Sequence, residues 1–128
     1  MSIQPINTNN APEAIGPYNQ AIVVKDAGLV YTSGQLGLDP GTGDLVTAEI
    51  VAQTEQVLKN LQAVLEAAGS GLDKIIKTTV FLANMDDFST VNRIYGQFFD
   101  SHQPARSAVQ VARLPKDALI EIEAVACL

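Results

Sequence analysis

In this 128-residue chain, with one histidine and one cysteine, few side chains are available for chemistry. Arg106 stands out first. It follows Pro104-Ala105 and enters a strand, at the kind of rim where binding groups are often carried. A guanidinium offers a planar fork of N–H donors that meets a carboxylate through two parallel hydrogen bonds. Glu121 and Glu123 come next: a partly buried carboxylate can hold and polarise a water. Spacing alone leaves both open. Tyr18, in Gly16-Pro17-Tyr18, aims an aromatic hydroxyl at the start of the first strand, and Asn92 on a helix can donate or accept. Ser33 closes a strand in Thr32-Ser33-Gly34-Gln35, but a serine nucleophile needs a general base. The single histidine, His102, lies in a polar loop far along the chain, so a Ser–His hydrolase is disfavoured. Cys127 reads as packing at the chain end. The loop Asp39-Pro40-Gly41-Thr42-Gly43 lacks the Gly-Lys-Ser/Thr ending of a phosphate loop.

Composition narrows the classes. Apolar residues make up 47% and charged residues 17%, which describes a globular chain. Charge is sparse against an average of roughly 25%, so some surface is expected to be hidden against a partner. A net charge of −6 disfavours nucleic-acid backbones and anionic membranes. One cysteine cannot close an internal disulfide, and with one histidine no structural metal is expected. The N-terminal residues do not read as a leader peptide, and no run approaches the ~20 apolar residues expected of a bilayer span. A soluble protein in a reducing compartment is the expectation.

The elements that must position these groups follow from periodicity. Residues 1–17, rich in Asn, Pro and Ala, read as an irregular arm. Ala21–Lys25 and Leu29–Gly34 read as a hairpin around Asp26-Ala27-Gly28. Ile50, Val57, Leu58, Leu61, Val64, Leu65 and Ala68 recur at helical spacing, with Thr47 as the cap and Gly69 as the stop. Ile75–Leu82 is β-branched and reads as a strand. Asp86 or Asp87 is expected to cap a second helix whose stripe is Phe88, Val91, Tyr95, Phe98 and Phe99. Ser107–Ala112 and Leu119–Cys127 read as closing strands. The order ββαβαββ predicts one α+β domain over residues 1–128: a single sheet with two helices on one face. In the last strand one register, Ile120, Ile122, Ala124 and Ala126, is fully apolar. The other mixes two carboxylates with Val125. Such a half-apolar face predicts a closed ring of subunits with clefts where they meet.

Several stretches taken together resemble a known family. They are Ala14-Ile15-Gly16-Pro17-Tyr18, Thr32-Ser33-Gly34-Gln35, Lys77 to Leu82, Asp87-Phe88 with Val91-Asn92, Pro104-Ala105-Arg106-Ser107, and Val111 to Asp117 running into Ile120 to Ala124. In this order they are similar to the Rid, or YjgF-like, proteins, and to the deaminase branch in particular. The resemblance implies a chorismate-mutase-like fold, a homotrimer with three inter-subunit clefts, and a cytoplasmic enzyme using no cofactor or metal. It implies hydrolysis of 2-aminoacrylate-type enamines and their imine tautomers, 2-iminopropanoate and 2-iminobutanoate, to 2-keto acids and ammonia. On that resemblance Arg106 would clamp the substrate carboxylate, and Glu121 rather than Glu123 would hold the water. Tyr18, Ser33 and Asn92 would shape the pocket, and the backbone around Ala108 would face the imine. Many members carry a cysteine where this chain has Ala108, and the Ser101–Pro104 loop looks short, which bears on substrate size. The competing expectations are a trimeric regulator that binds small carboxylates without turnover, and a chaperone or translation inhibitor.

Overall fold

Alternation along the last strand organises the molecule. In the computed structural model, which describes residues 2–128, Ile120, Ile122, Ala124 and Ala126 of β7 (Ile120–Cys127) are buried, while Glu121 and Val125 are half-buried and Glu123 is exposed. The buried register packs beneath two helices, α1 (Ile50–Ala67) and α2 (Phe88–Phe98). Leu58, Leu61 and Leu65 of α1 are fully buried, each removing enough apolar surface to contribute roughly 1.5–3 kcal/mol.

The sheet runs in the order β1 (Ile3–Ile6), β2 (Ala21–Val24), β3 (Leu29–Thr32), β7, β5 (Ile75–Leu82), β6 (Ala105–Gln110), with a short β4 (Gln35–Leu36) also on β7. β2 (Ala21–Val24), β3 (Leu29–Thr32) and β5 (Ile75–Leu82) lie close to the strands anticipated from sequence. β5 and β6 (Ala105–Gln110) are parallel, joined through α2; the other pairings are antiparallel. The fold is therefore α+β with both helices against one face of a mixed sheet.

The arm is not wholly irregular: Ile3–Ile6 forms β1 on the edge of β2. Its polar and proline residues hide the pattern, because an edge strand exposed on one side needs no apolar alternation. Downstream of β1 a buried amide replaces strand pairing. Gln20 accepts from Thr8 N at 2.6 Å and donates to Thr8 O at 3.0 Å and Pro12 O at 2.7 Å. Gln53 plays the same part for α1, donating to Thr47 O and accepting from Leu119 N, both at 2.8 Å.

Neither expected side-chain cap forms. Thr47 Oγ1 accepts from Glu49 N in the turn before α1, and the helix starts behind Glu49 with no side-chain cap. Asn84, not Asp86 or Asp87, accepts a backbone N–H, from Asp86 at 2.9 Å. A 3-10 turn (Met85–Asp87) then feeds α2, and Asp87 does hold the N-cap position, but in helical backbone conformation and without a side-chain hydrogen bond. Gly69 does stop α1: at φ +83° it places Ser70 N 2.8 Å from Leu65 O and Gly69 N 3.1 Å from Glu66 O.

One irregularity shapes the open face. Tyr31 pairs with Val125, and Gln35 of β4 (Gln35–Leu36) pairs with Ile122, so four steps along this edge match three along β7. The extra residue is a bulge at Thr32-Ser33-Gly34, a device common beside functional sites.

Candidate functional site

Arg106 leaves edge strand β6 beside Thr78, which in turn pairs with Ala124. Thr78 and Ala124 are buried on the helix side, so the arginine also projects to that side and meets α2. There its Nη1 donates to Asn92 Oδ1 at 2.9 Å. The guanidinium carbon stands 4.8 Å from the centroid of the Tyr95 ring and 5.3 Å from that of Phe88, within cation–π range. Tyr95 is anchored in turn: its hydroxyl lies 2.7 Å from Thr78 Oγ1. Burial pushes the Tyr95 phenol above its ordinary pKa, against the smaller lowering effects of the Thr78 hydrogen bond and the Arg106 charge. Among the described residues the one ion pair is Arg113–Asp117 on the surface, so the fork of Arg106 is free of any carboxylate. Arg106, Asn92 and Tyr95 line a cleft of about 360 Å³, completed by Gly96, Phe99, Gln103 and Pro104. Ala108, two residues along β6 on the same side, is half-buried against the core.

Glu121 belongs to a second cluster. It pairs with Leu36 and Phe81 and points away from the helices. The bulge makes room for it: a Cβ on Gly34 would lie 2.7 Å from Glu121 Cδ, so only glycine leaves the carboxylate its place. Desolvation raises the Glu121 pKa above the ordinary glutamate range, and the nearby Glu123 charge raises it further. Ser33 adjoins this spot, but its hydroxyl donates to Asn19 O at 2.6 Å and ties the bulge to the Tyr18 turn. Tyr18 itself is 51% exposed.

The candidates thus fall into two groups, Arg106 with Asn92 and Ala108, and Glu121 with Ser33 and the Tyr18 turn. Arg106 and Glu121 project to opposite faces of the sheet. Three residues of register and two strand spacings also separate Arg106 from Glu121, about 10 Å in each direction. One chain does not bring them around a single small molecule. His102 serves as a tether, with Nε2 2.6 Å from Ile75 O. Cys127 is an exposed free thiol. Among the described residues no three His, Cys, Asp or Glu side chains gather as a metal site, and no helix is long and apolar enough to cross a membrane. Tyr95, Phe88, Gly34 and Gly96 were not singled out as site residues from sequence. Tyr95 and Phe88 were read there only as a core stripe, and their role beneath a guanidinium appears only once α2 is laid beside β6.

Known proteins are similar to this chain along nearly its whole length. The family described as endoribonuclease L-PSP matches residues 8–128. Human 2-iminobutanoate/2-iminopropanoate deaminase is 52% identical over 121 residues, covering 94% of this chain and 87% of the human protein. The crystal structure of YyfA, a Rid-family protein of Yersinia pestis, superposes with a TM-score of 0.95 at 52% identity, covering 99% of this chain and 100% of that one. TdcF of E. coli, solved with bound serine, superposes with a TM-score of 0.91 at 46% identity over 98% of each chain. A family match over residues 8–128, a shared fold and about half of the aligned positions identical leave one assignment: the chain belongs to the Rid, or YjgF-like, family.

Proposed function

We propose that this protein is a hydrolytic deaminase of small 2-imino acids, acting on 2-aminoacrylate-type enamines and on imines such as 2-iminopropanoate and 2-iminobutanoate. The observation that carries this reading is the Arg106 fork. It is held by Asn92, backed by two aromatic rings, free of any carboxylate of its own and open to a cleft. A cation so prepared suits a small carboxylate ligand. The human relative's activity and the serine bound to TdcF support the same ligand class.

The chemistry asks little of the protein. An imine carbon is already electrophilic, so orientation, one water and a proton carrier suffice. Arg106 grips the carboxylate. Glu121 takes a proton as water adds to the imine carbon, and returns it to nitrogen. Glu121 then takes the hydroxyl proton of the tetrahedral adduct and passes it to nitrogen; the C–N bond breaks as the C=O bond forms, its electron pair leaving with ammonia, and the 2-keto acid remains. No metal or cofactor enters this scheme. Because Arg106 and Glu121 lie on opposite faces, we place the reaction in a homotrimer whose clefts join the Arg106 side of one subunit to the Glu121 side of the next. Tyr18, Ser33, Asn92 and the Ala108 backbone then border the substrate. Substrates of this kind arise from amino-acid dehydratases, which fits a cytoplasmic setting.

The test uses an amino-acid oxidase to generate fresh imines while semicarbazide traps what survives. Wild type is expected to suppress the trapped product. Arg106→Ala, losing a charge-assisted contact of roughly 1.5–3 kcal/mol, is expected to drop kcat/KM about 10- to 100-fold with assembly intact. An intact wild type that acts on no imine would overturn the reading and favour a carboxylate sensor. The family description also raises RNA cleavage. The net charge of −6 weighs against it, and incubation with RNA gives an independent check.

A further inference from the structure

Gly96 is a glycine with no local reason to be one. It lies inside α2, where glycine costs stability relative to alanine, and it is not among the residues of positive φ. A Cβ built on it would meet nothing within 4 Å. Neither the backbone nor packing within the chain requires a missing side chain here. What Gly96 does is line the cleft that Arg106 enters, next to Tyr95 and one helical turn from Asn92, over a floor that includes the buried Phe99 ring.

We infer that this cleft receives the side chain of the substrate once Arg106 holds its carboxylate, and that Gly96 sets the largest side chain admitted. The inference rests on the reading of Arg106 as a carboxylate clamp and deepens it by naming the substrate class. A cleft of about 360 Å³ is far larger than a methyl or ethyl group requires. Tyr95, Phe99 and Pro104 give it apolar walls beside the polar Arg106, Asn92 and Gln103. That combination suits an imino acid with a bulky apolar or aromatic side chain, such as those formed from leucine or phenylalanine. Gly96 is thus a specificity-determining residue, acting by the space it leaves.

A size series tests this. Gly96→Ala, Gly96→Val and Gly96→Leu are compared with wild type on imines generated from alanine and from phenylalanine. The ratio of kcat/KM for the alanine-derived over the phenylalanine-derived imine is expected to rise stepwise, at least tenfold by the leucine variant and mainly through KM. Gly96→Ala is expected to melt at or above the wild-type temperature, which separates lost space from lost folding. Binding of pyruvate and phenylpyruvate by calorimetry gives a second readout that needs no turnover. Phenylpyruvate binding should weaken through the series faster than pyruvate binding. A ratio that stays level in both readouts overturns the inference while leaving the deaminase reading standing. Wild type that hydrolyses no imine removes the deaminase reading, and the calorimetric ratio still decides the pocket. Should Gly96→Leu fail to fold, the alanine and valine steps decide.

Discussion

At the scale of single residues, the pair to watch is Gly34 and Glu121. The bulge holds the backbone of Gly34 against the Glu121 carboxylate, so Gly34→Ala must push that carboxylate aside. The obstacle is a flexible side-chain end, so the fold should survive. kcat should fall toward that of Glu121→Gln, which we expect to lose about 100-fold or more as a missing general base. Unchanged turnover in Gly34→Ala would show that the carboxylate position is not critical. Acid titration gives a separate check. Burial, reinforced by Glu123, raises the Glu121 pKa in the folded state. A carboxyl of this kind favours the fold below its unfolded pKa, and that contribution disappears as pH rises through the folded value. Glu121→Gln should therefore be slightly more stable than wild type at neutral pH, with the difference shrinking in acid. In wild type kcat/KM should fall as pH drops through a pKa above the ordinary glutamate range. A flat rate profile through the acid range would remove Glu121 as the base. Of the site residues, Arg106 announced itself by charge and setting. Glu121 could be separated from Glu123 only by family resemblance, because strand parity treats the two alike.

At the scale of elements, α1 and the buried register of β7 carry the stability. Leu61 of α1 is fully buried, so Leu61→Ala should cost about 2–5 kcal/mol in urea melts, with no change in the kcat/KM ratio between substrates. The elements were legible where periodicity is strong: α1, β5, β7 and the hairpin of β2 and β3 lie close to where apolar spacing puts them. β1 was missed because an edge strand shows no apolar alternation. The helix starts at Ile50 and Phe88 agree with the apolar spacing, but the capping side chains do not, because several neighbouring Thr, Asn and Asp residues could each accept the free N–H groups. The buried amides Gln20 and Gln53 were also invisible, since their partners are backbone atoms of distant loops.

At the scale of the whole molecule, the open face of the sheet is left without cover. Tyr31 is 50% and Val109 is 44% exposed there, beside half-buried Phe81 and Val125. An apolar face of this kind calls for a partner surface, and in the proposed trimer that partner is a second copy. Sedimentation should give about three times the 13.6 kDa chain mass. Subunit mixing gives a sharper result. Arg106→Ala and Glu121→Ala trimers, each strongly impaired alone, should regain a fraction of wild-type activity after co-refolding, because some clefts would then hold both intact residues. Mixed trimers that stay as impaired as their parents would place both residues in one subunit's site, against the opposed faces of the sheet.

Local sequence was enough to establish the α+β class, the two helices, the buried register of β7 and the prominence of Arg106. These follow from periodicity and residue chemistry, which need no knowledge of distant neighbours. Only the folded chain reveals that α2 lies under Arg106 with Asn92 and Tyr95 in reach, that a bulge seats Glu121 on Gly34, and that Arg106 and Glu121 face opposite ways. Those relations depend on which strands pair and in what register. Pairing between residues far apart along the chain is set by the packing of the whole sheet, not by any short stretch of it.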